Sequence, residues 1–407
     1  MTMTARDSED RYCAHNYHPL PVVLVKGEDV WLWDEDGKKY LDMMSAYSAV
    51  SLGHSNPRIV KAITDQAAKL AITSRAFYTD RLGPFLEKLC TMSGLDMALP
   101  MNTGAEAVET AIKAARMWGY QSKKIPTDKA EIIVASDNFH GRTTTIIGFS
   151  TDEEYKDAFG PYTPGFKIAE FGNAQSFRDL ITENTAAILI EPMQGEAGIK
   201  IPPKGFLKEL RQICDENNVL LILDEIQTGL GRTGKMFAFQ HEDITPDGLI
   251  LGKALGGGML AVSAFVAKKQ VMELFTPGSH GSTFGGNPLG AAVGLEALTI
   301  MEEDKMDSRS AELGAYLLEK FQAVDSPLIR EIRGSGLWIG VDFHADKVSA
   351  RKVCEALKDR GILSKETHGS VVRFAPPLTI SKEVLDWAVD EFTTVLRQLE
   401  SQQRMAS

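Results

Sequence analysis

Apolar and polar positions along the chain alternate in blocks, and three short apolar blocks stand out because each ends in a polar or charged residue. Ala187-Ile188-Leu189-Ile190 runs into Glu191-Pro192. Val219-Leu220-Leu221-Ile222-Leu223 delivers Asp224, Glu225 and Gln227, and Gly248-Leu249-Ile250-Leu251-Gly252 closes on Lys253. Runs of about 4–8 apolar residues without polar alternation suit strands buried on both faces, as in a parallel sheet covered by helices. Ligands of such sheets sit beyond the carboxyl ends of the strands, which is where Asp224 and Lys253 fall.

The remaining blocks extend this frame. Residues 1–12 read as a loose terminus. Val22 to Met43 carries three patterned runs broken at Gly27 and Asp36-Gly37, which predicts a small antiparallel meander. Asn56-Pro57 reads as a cap and first turn ahead of an amphipathic helix, and Val108 to Met117 reads as an alanine-rich helix. Strands are predicted at Ile132-Ile133-Val134 and Thr145-Ile146-Ile147. This β/α alternation continues to about Pro288, predicting an α/β domain with a largely parallel sheet. Helices then dominate, with strands at 336–341 and 371–374 and a closing helix from Val384 to Leu399. The division that follows is a 1–50 N-terminal segment and meander packing with the small domain, a 51–287 large domain, and a 288–407 small α+β domain. A cleft is expected between them.

Composition narrows the classes of function. With 407 residues, 43% hydrophobic and 24% charged, the chain is of ordinary globular make-up and long enough for two domains. A net charge of −11 without a basic run argues against a nucleic-acid partner. Cys13, Cys90, Cys214 and Cys354 lack metal or redox spacing, which points to a reducing compartment and gives no metal site. The first ten residues resemble neither a signal nor a transit peptide, and no apolar stretch approaches the ~18 residues of a membrane span. The expected location is the cytoplasm.

A carboxylate and an amine brought to one rim suggest carbonyl chemistry. Lysine condenses with carbonyls, and pyridoxal 5′-phosphate (PLP) also needs an acid at its ring nitrogen to act as an electron sink. Taken singly, Asp224 is a turn cap and Lys253 a solvated lysine; together they form half of a site. Asn102-Thr103-Gly104-Ala105 precedes a helix whose N-terminus favours phosphate, though ordinary capping is the commoner use of such residues. Phe139 reads either as a ring that stacks on a planar cofactor or as a core phenylalanine, and Arg142 either as a fork for a carboxylate or as a solvated arginine. Glu196 reads either as the neutraliser of a site arginine, with Arg373 one candidate partner, or as part of a surface turn. The run His280 to Pro288 suits a second phosphate contact or a mobile loop.

One motif misleads. Gly229-Leu230-Gly231-Arg232-Thr233-Gly234 has the form of a nucleotide fingerprint, yet Met236 stands where a P-loop needs Ser or Thr, and no acid lies about 20 positions on. It reads as a glycine-permitted loop.

With these motifs assembled, the chain resembles the class III PLP-dependent aminotransferases of fold type I along nearly its whole length. The resemblance rests on Asp224 to Gly229, Gly252 to Gly258 and Gly281 to Pro288, in the family's order. His15 to Pro21 and Ser45 to Val50 resemble the branch acting on ornithine, with Tyr17 and Tyr47 matching its substrate-contacting tyrosines. The resemblance implies that Lys253 holds PLP covalently, Asp224 pairs with the ring nitrogen and Phe139 stacks on the ring. Gln227 is implied beside the ring hydroxyl, Gly104 and Ala105 as phosphate-binding amides, and Ser282 with Thr283 as phosphate contacts reaching into a neighbouring subunit. The assembly implied is a homodimer or a dimer of dimers. The activity implied is a ping-pong transfer of the δ-amino group of L-ornithine to 2-oxoglutarate. Arg142 would bind the distal carboxylate, and Glu196 would mask Arg373 during the ornithine half. Acetylornithine or 4-aminobutyrate transaminases and an aminomutase of the same fold remain alternatives.

Overall fold

A computed structural model describes residues 3–406. Its centre is a seven-stranded sheet built from β4 to β10, numbered after the three strands of an N-terminal meander: β1 (Leu24–Glu28), β2 (Trp31–Asp34) and β3 (Lys39–Asp42). The strands are β4 (Met97–Met101), β5 (Glu131–Ala135), β6 (Phe166–Ala169), β7 (Thr185–Ile190), β8 (Leu220–Asp224), β9 (Gly248–Leu251) and β10 (Ser263–Ala267). They lie in the order β4-β10-β9-β8-β7-β5-β6, and β10 alone runs against its neighbours.

The apolar runs are buried for a visible reason. Ile188, Ile190, Leu221 and Leu223 join the core on one face of the sheet, while Ala187, Leu189, Leu220 and Ile222 join the core on the other. Successive strand side chains point to opposite faces, so a strand with helices on both sides has no place for polar alternation.

Two smaller sheets flank the far end. β11 (Ile329–Gly334), β12 (Ile339–Phe343), β14 (Lys365–Thr367) and β15 (Val371–Phe374) form an antiparallel sheet in the order β11-β12-β15-β14. The meander recruits β13 (Ile362–Leu363), which pairs in parallel with β3 through Leu41 and Asp42. The N-terminal strands are thereby stitched to the C-terminal third of the chain.

Three local expectations differ from the structure. Residues 145–147 lie in a helix, Thr144–Gly148, because the Thr143 hydroxyl accepts the Ile146 N–H (3.2 Å) and caps a turn there. The terminus is ordered as a helix, Ala5–Tyr12, through a reciprocal cap between Thr4 and Asp7, although it buries none of its residues. The strand expected from Gly336 begins only at Ile339, since a turn closed by Ser335 N–H and the Trp338 carbonyl precedes it (3.1 Å).

Candidate active site

Asp224 ends β8 and is buried. Its Oδ1 accepts the Ile226 N–H (3.0 Å), and its Oδ2 lies 2.7 Å from Nδ1 of the buried His140. Burial by itself lowers an imidazole pKa, but the bond to Asp224, its charge and that of Glu191 leave His140 above its ordinary value. Glu191 follows β7 directly, and its Oε2 accepts the Phe139 N–H (3.0 Å). Burial pushes its carboxyl up to about 7, against His140 and helped by Asp224.

Lys253 opens the short turn that follows β9, with a left-handed backbone (φ 46). Burial lowers its pKa, with Glu196 opposing and Arg373 adding to the shift. A cavity of about 160 Å³ separates it from the acids and is walled by Lys253, Asp224, His140, Glu191, Phe139, Ala105 and Gln227, with Gly104 at one edge. Gly104 is the first residue of the helix Gly104–Gln121, whose cap is a reciprocal pair: Glu106 N–H donates to the Thr103 hydroxyl, and Thr103 N–H donates to Glu106 Oε2. A Cβ at Gly104 would stand 2.8 Å from Ile226 Cδ1, so a larger residue would require that side chain to shift. Gln227 lies flat against Gly195, where a Cβ would meet its Oε1 at 2.0 Å.

The two arginines are treated differently. Arg373, on β15, is buried and donates from Nη1 to Glu196 Oε1 (2.7 Å). Burial raises the Glu196 carboxyl, but Arg373 foremost and Lys253 next bring it below the usual carboxylate value. Arg142 is exposed; its guanidinium stands 4.2 Å from the Tyr155 ring centroid and 5.6 Å from that of Phe139, and it has no hydrogen bond or ion pair among the described residues. Such a cation over aromatic faces keeps its donors available.

Tyr47 is placed between the charged groups, its ring centroid 5.0 Å from Arg373 Cζ and 6.0 Å from Lys253 Nζ. It rides on four consecutive non-glycine residues, Ser45 to Ser48, all with positive φ. Left-handed backbone costs roughly 1–2 kcal/mol per residue, so the turn is held by its surroundings. Tyr17 is 74% exposed and lines a surface groove. Ser282 and Thr283 do not wall the cavity of their own chain. Ser282 instead accepts from Asn102 Nδ2 (2.9 Å) through its hydroxyl, and Thr283 is exposed.

Sequence reasoning gave no role to His140, Glu191 or Arg232. The first two were within reach: Glu191 directly follows its strand much as Asp224 ends its own, and His140 sits between two residues already singled out. Arg232 lay inside the misleading glycine motif.

The family model for aminotransferase class-III matches residues 12–396. The chain belongs to that family. This class-III aminotransferase is 56% identical over 394 residues to the ornithine aminotransferase of Brevibacillus brevis, covering 97% of this chain and 98% of the relative. A structure of the ornithine aminotransferase from Toxoplasma gondii, described as having partial occupancy of PLP at the active site, superposes with a TM-score of 0.96 at 41% identity, over 99% of this chain and 96% of that one. The acetylornithine aminotransferase of Elizabethkingia anophelis superposes at 0.88 with 44% identity, over 97% and 98%.

The aminotransferase uses PLP, and its residues fit that group. The cavity holds an amine on one side and a buried carboxylate on the other, with a helix N-terminus at its edge for an anion. Among the described residues no cluster suited to a metal ion occurs, and no helix is long and apolar enough to cross a membrane.

Proposed function

We propose that the chain is an ornithine δ-aminotransferase, moving the terminal amine of L-ornithine to 2-oxoglutarate to give glutamate 5-semialdehyde and glutamate. The observation that carries this reading is the unequal state of the two arginines: Arg373 is neutralised by Glu196, while Arg142 is open. An amine at the far end of ornithine needs a carboxylate anchor away from the reacting carbon and none beside it. 2-Oxoglutarate needs both. Arg142 binds the ornithine carboxylate and, in the second half, the distal carboxylate of the keto acid. Arg373 is released from Glu196 to take the carboxylate next to the reacting carbon.

In this reading Lys253 would hold PLP covalently, Asp224 would pair with its ring nitrogen, Phe139 would stack on it and Gln227 would meet its hydroxyl side. Thr103, Gly104 and Ala105 receive the phosphate. Bound PLP supplies an electron sink that lets the C–H bond beside the substrate amine break. The chain does the rest: Lys253 Nζ, set free when the substrate amine takes its place and favoured as the free amine by its lowered pKa, would take that proton and deliver it to the cofactor's carbon, while the Asp224 carboxylate would keep the ring nitrogen protonated. Tyr47 and Tyr17 line the substrate's path.

A homodimer completes the site, with Ser282 and Thr283 reaching the partner's phosphate. Phe77 and Phe284 are 70% and 57% exposed, and the segments that carry them are joined by Leu289 N–H donating to the Ala71 carbonyl (3.2 Å); in the proposed homodimer these rings would be covered by the partner chain. The division into an N-terminal segment, a 51–287 large domain and a 288–407 small domain belongs to the same proposal. So does a cytoplasmic location, which suits four free thiols. The experiment is to add ornithine to the holoenzyme without 2-oxoglutarate, follow the cofactor spectrum and trap the semialdehyde. Faster conversion by acetylornithine or 4-aminobutyrate would overturn the substrate assignment.

A further inference from the structure

The left-handed turn that carries Tyr47 is tied at both ends to the segment that carries Arg373. At its start, Asp42 Oδ1 accepts the N–H groups of Met44 (2.8 Å) and Ser45 (2.9 Å), while Asp42 Oδ2 lies 2.7 Å from His54 Nε2. The Ser45 hydroxyl donates to the Ala375 carbonyl (2.7 Å), and Ala375 N–H donates to the Met43 carbonyl (2.7 Å). Ala375 is two residues beyond Arg373.

At its end, the Ser51 hydroxyl donates to the Ser48 carbonyl (2.9 Å), and Leu378 N–H donates to the Ser51 carbonyl (2.8 Å). Beneath them lies Arg232, with no exposed surface. It donates from Nη2 to the Ser51 hydroxyl (2.9 Å), and from Nη1 to the carbonyls of Pro376 (2.7 Å) and Leu337 (2.9 Å). A buried cation bonded only to neutral oxygens costs folding free energy, and a strained turn adds to that cost. Both features sit behind Tyr47, between the loop that follows Asp224 and the segment that follows Arg373.

We propose that Asp42, Ser45 and Arg232 are positioning residues that fix Tyr47 against Arg373 and thereby set the enzyme's preference for ornithine over other amine donors. None of the three lines the cofactor cavity. Their effect runs through the phenol ring: a loosened turn lets Tyr47 drift, so the substrate chain beyond the reacting amine is held less well while the groups around Lys253 are unchanged. The inference rests on the ornithine reading for its substrate and on backbone geometry for its mechanism.

The test uses PLP-loaded enzyme carrying Asp42→Ala, Ser45→Ala or Arg232→Lys, each also combined with Tyr47→Ala. Each single variant is expected to raise KM for ornithine about fivefold or more with kcat changed less than about twofold, and to narrow the ratio of ornithine to 4-aminobutyrate turnover. Once Tyr47 is replaced, the same changes should add less than about twofold, since residues acting through one another are non-additive. Asp42→Asn keeps an acceptor for the two N–H groups and should restore KM. Amide exchange across residues 43–51 of the unliganded chain should quicken in Asp42→Ala and Ser45→Ala. If ornithine proves not to be the substrate, this exchange still reads the tether. Unchanged exchange, equal losses of kcat and kcat/KM, or effects that multiply with Tyr47→Ala would each overturn the proposal. Ser45→Ala, which removes one hydroxyl, keeps the test decisive if Arg232→Lys fails to fold.

Discussion

Arg373 and Arg142 show how one side chain alters the use of another. Glu196 loses solvation in the site and recovers it through Arg373, and in the proposed reaction a substrate carboxylate would take the glutamate's place. Glu196→Ala should leave Arg373 unmasked and quicken the half-reaction with glutamate relative to ornithine by on the order of tenfold, about 1.4 kcal/mol of differential stabilisation. An unchanged ratio in stopped-flow half-reactions would reject the switch. A second residue effect concerns Glu225, buried against the N–H groups of Ala238 (2.6 Å) and Phe239 (2.9 Å) and pushed up to about 7 by burial. Between its ordinary value near 4.5 and about 7 the folded chain keeps a proton that the unfolded chain has released. This group's contribution to stability therefore falls as pH rises through that window. Urea midpoints should show a shallower fall in Glu225→Gln than in the parent, and equal slopes would contradict the assignment. Lys253 and Asp224 were legible because each ends an apolar run. His140 was not, because its meaning depends on a partner 84 positions away.

Elements position these residues, and the strained ones are informative. The buried strands β7, β8 and β9 could be read from composition, since nothing but a doubly covered strand tolerates such runs. The turn at 45–48 could not, because serine, alanine and tyrosine carry no signal for left-handed backbone. Ala46 is exposed with φ 44 and ψ 52. Glycine there relieves the Cβ clash but frees the unfolded chain, so Ala46→Gly should be neutral or stabilising by up to ~1 kcal/mol, where the same change inside a helix costs about 1 kcal/mol. Urea unfolding measures it, and a loss of helix-like size would contradict the left-handed geometry. The helix at 144–148 was misread for a related reason: β-branched residues favour strands on average, and one capping hydroxyl overrode them.

At the scale of the whole molecule, the site draws on segments from residue 42 to residue 378. The α/β class and the PLP chemistry were legible, whereas the strand order and the stitching of β3 to β13 depend on crossovers that local pattern does not encode. Phe77 and Phe284 are exposed, and in the proposed homodimer they would lie at the contact with the partner chain. Phe284→Arg should shift sedimentation toward the monomer and weaken PLP retention about tenfold, about 1.4 kcal/mol, through loss of Ser282 and Thr283 from the partner's phosphate. A monomer that keeps PLP as tightly would contradict the shared site. The account as a whole depends on one amine, and borohydride reduction of the PLP-loaded chain followed by peptide mapping tests it most directly. The pyridoxyl label is expected on Lys253 alone; a label on any other lysine, or none, would contradict the account.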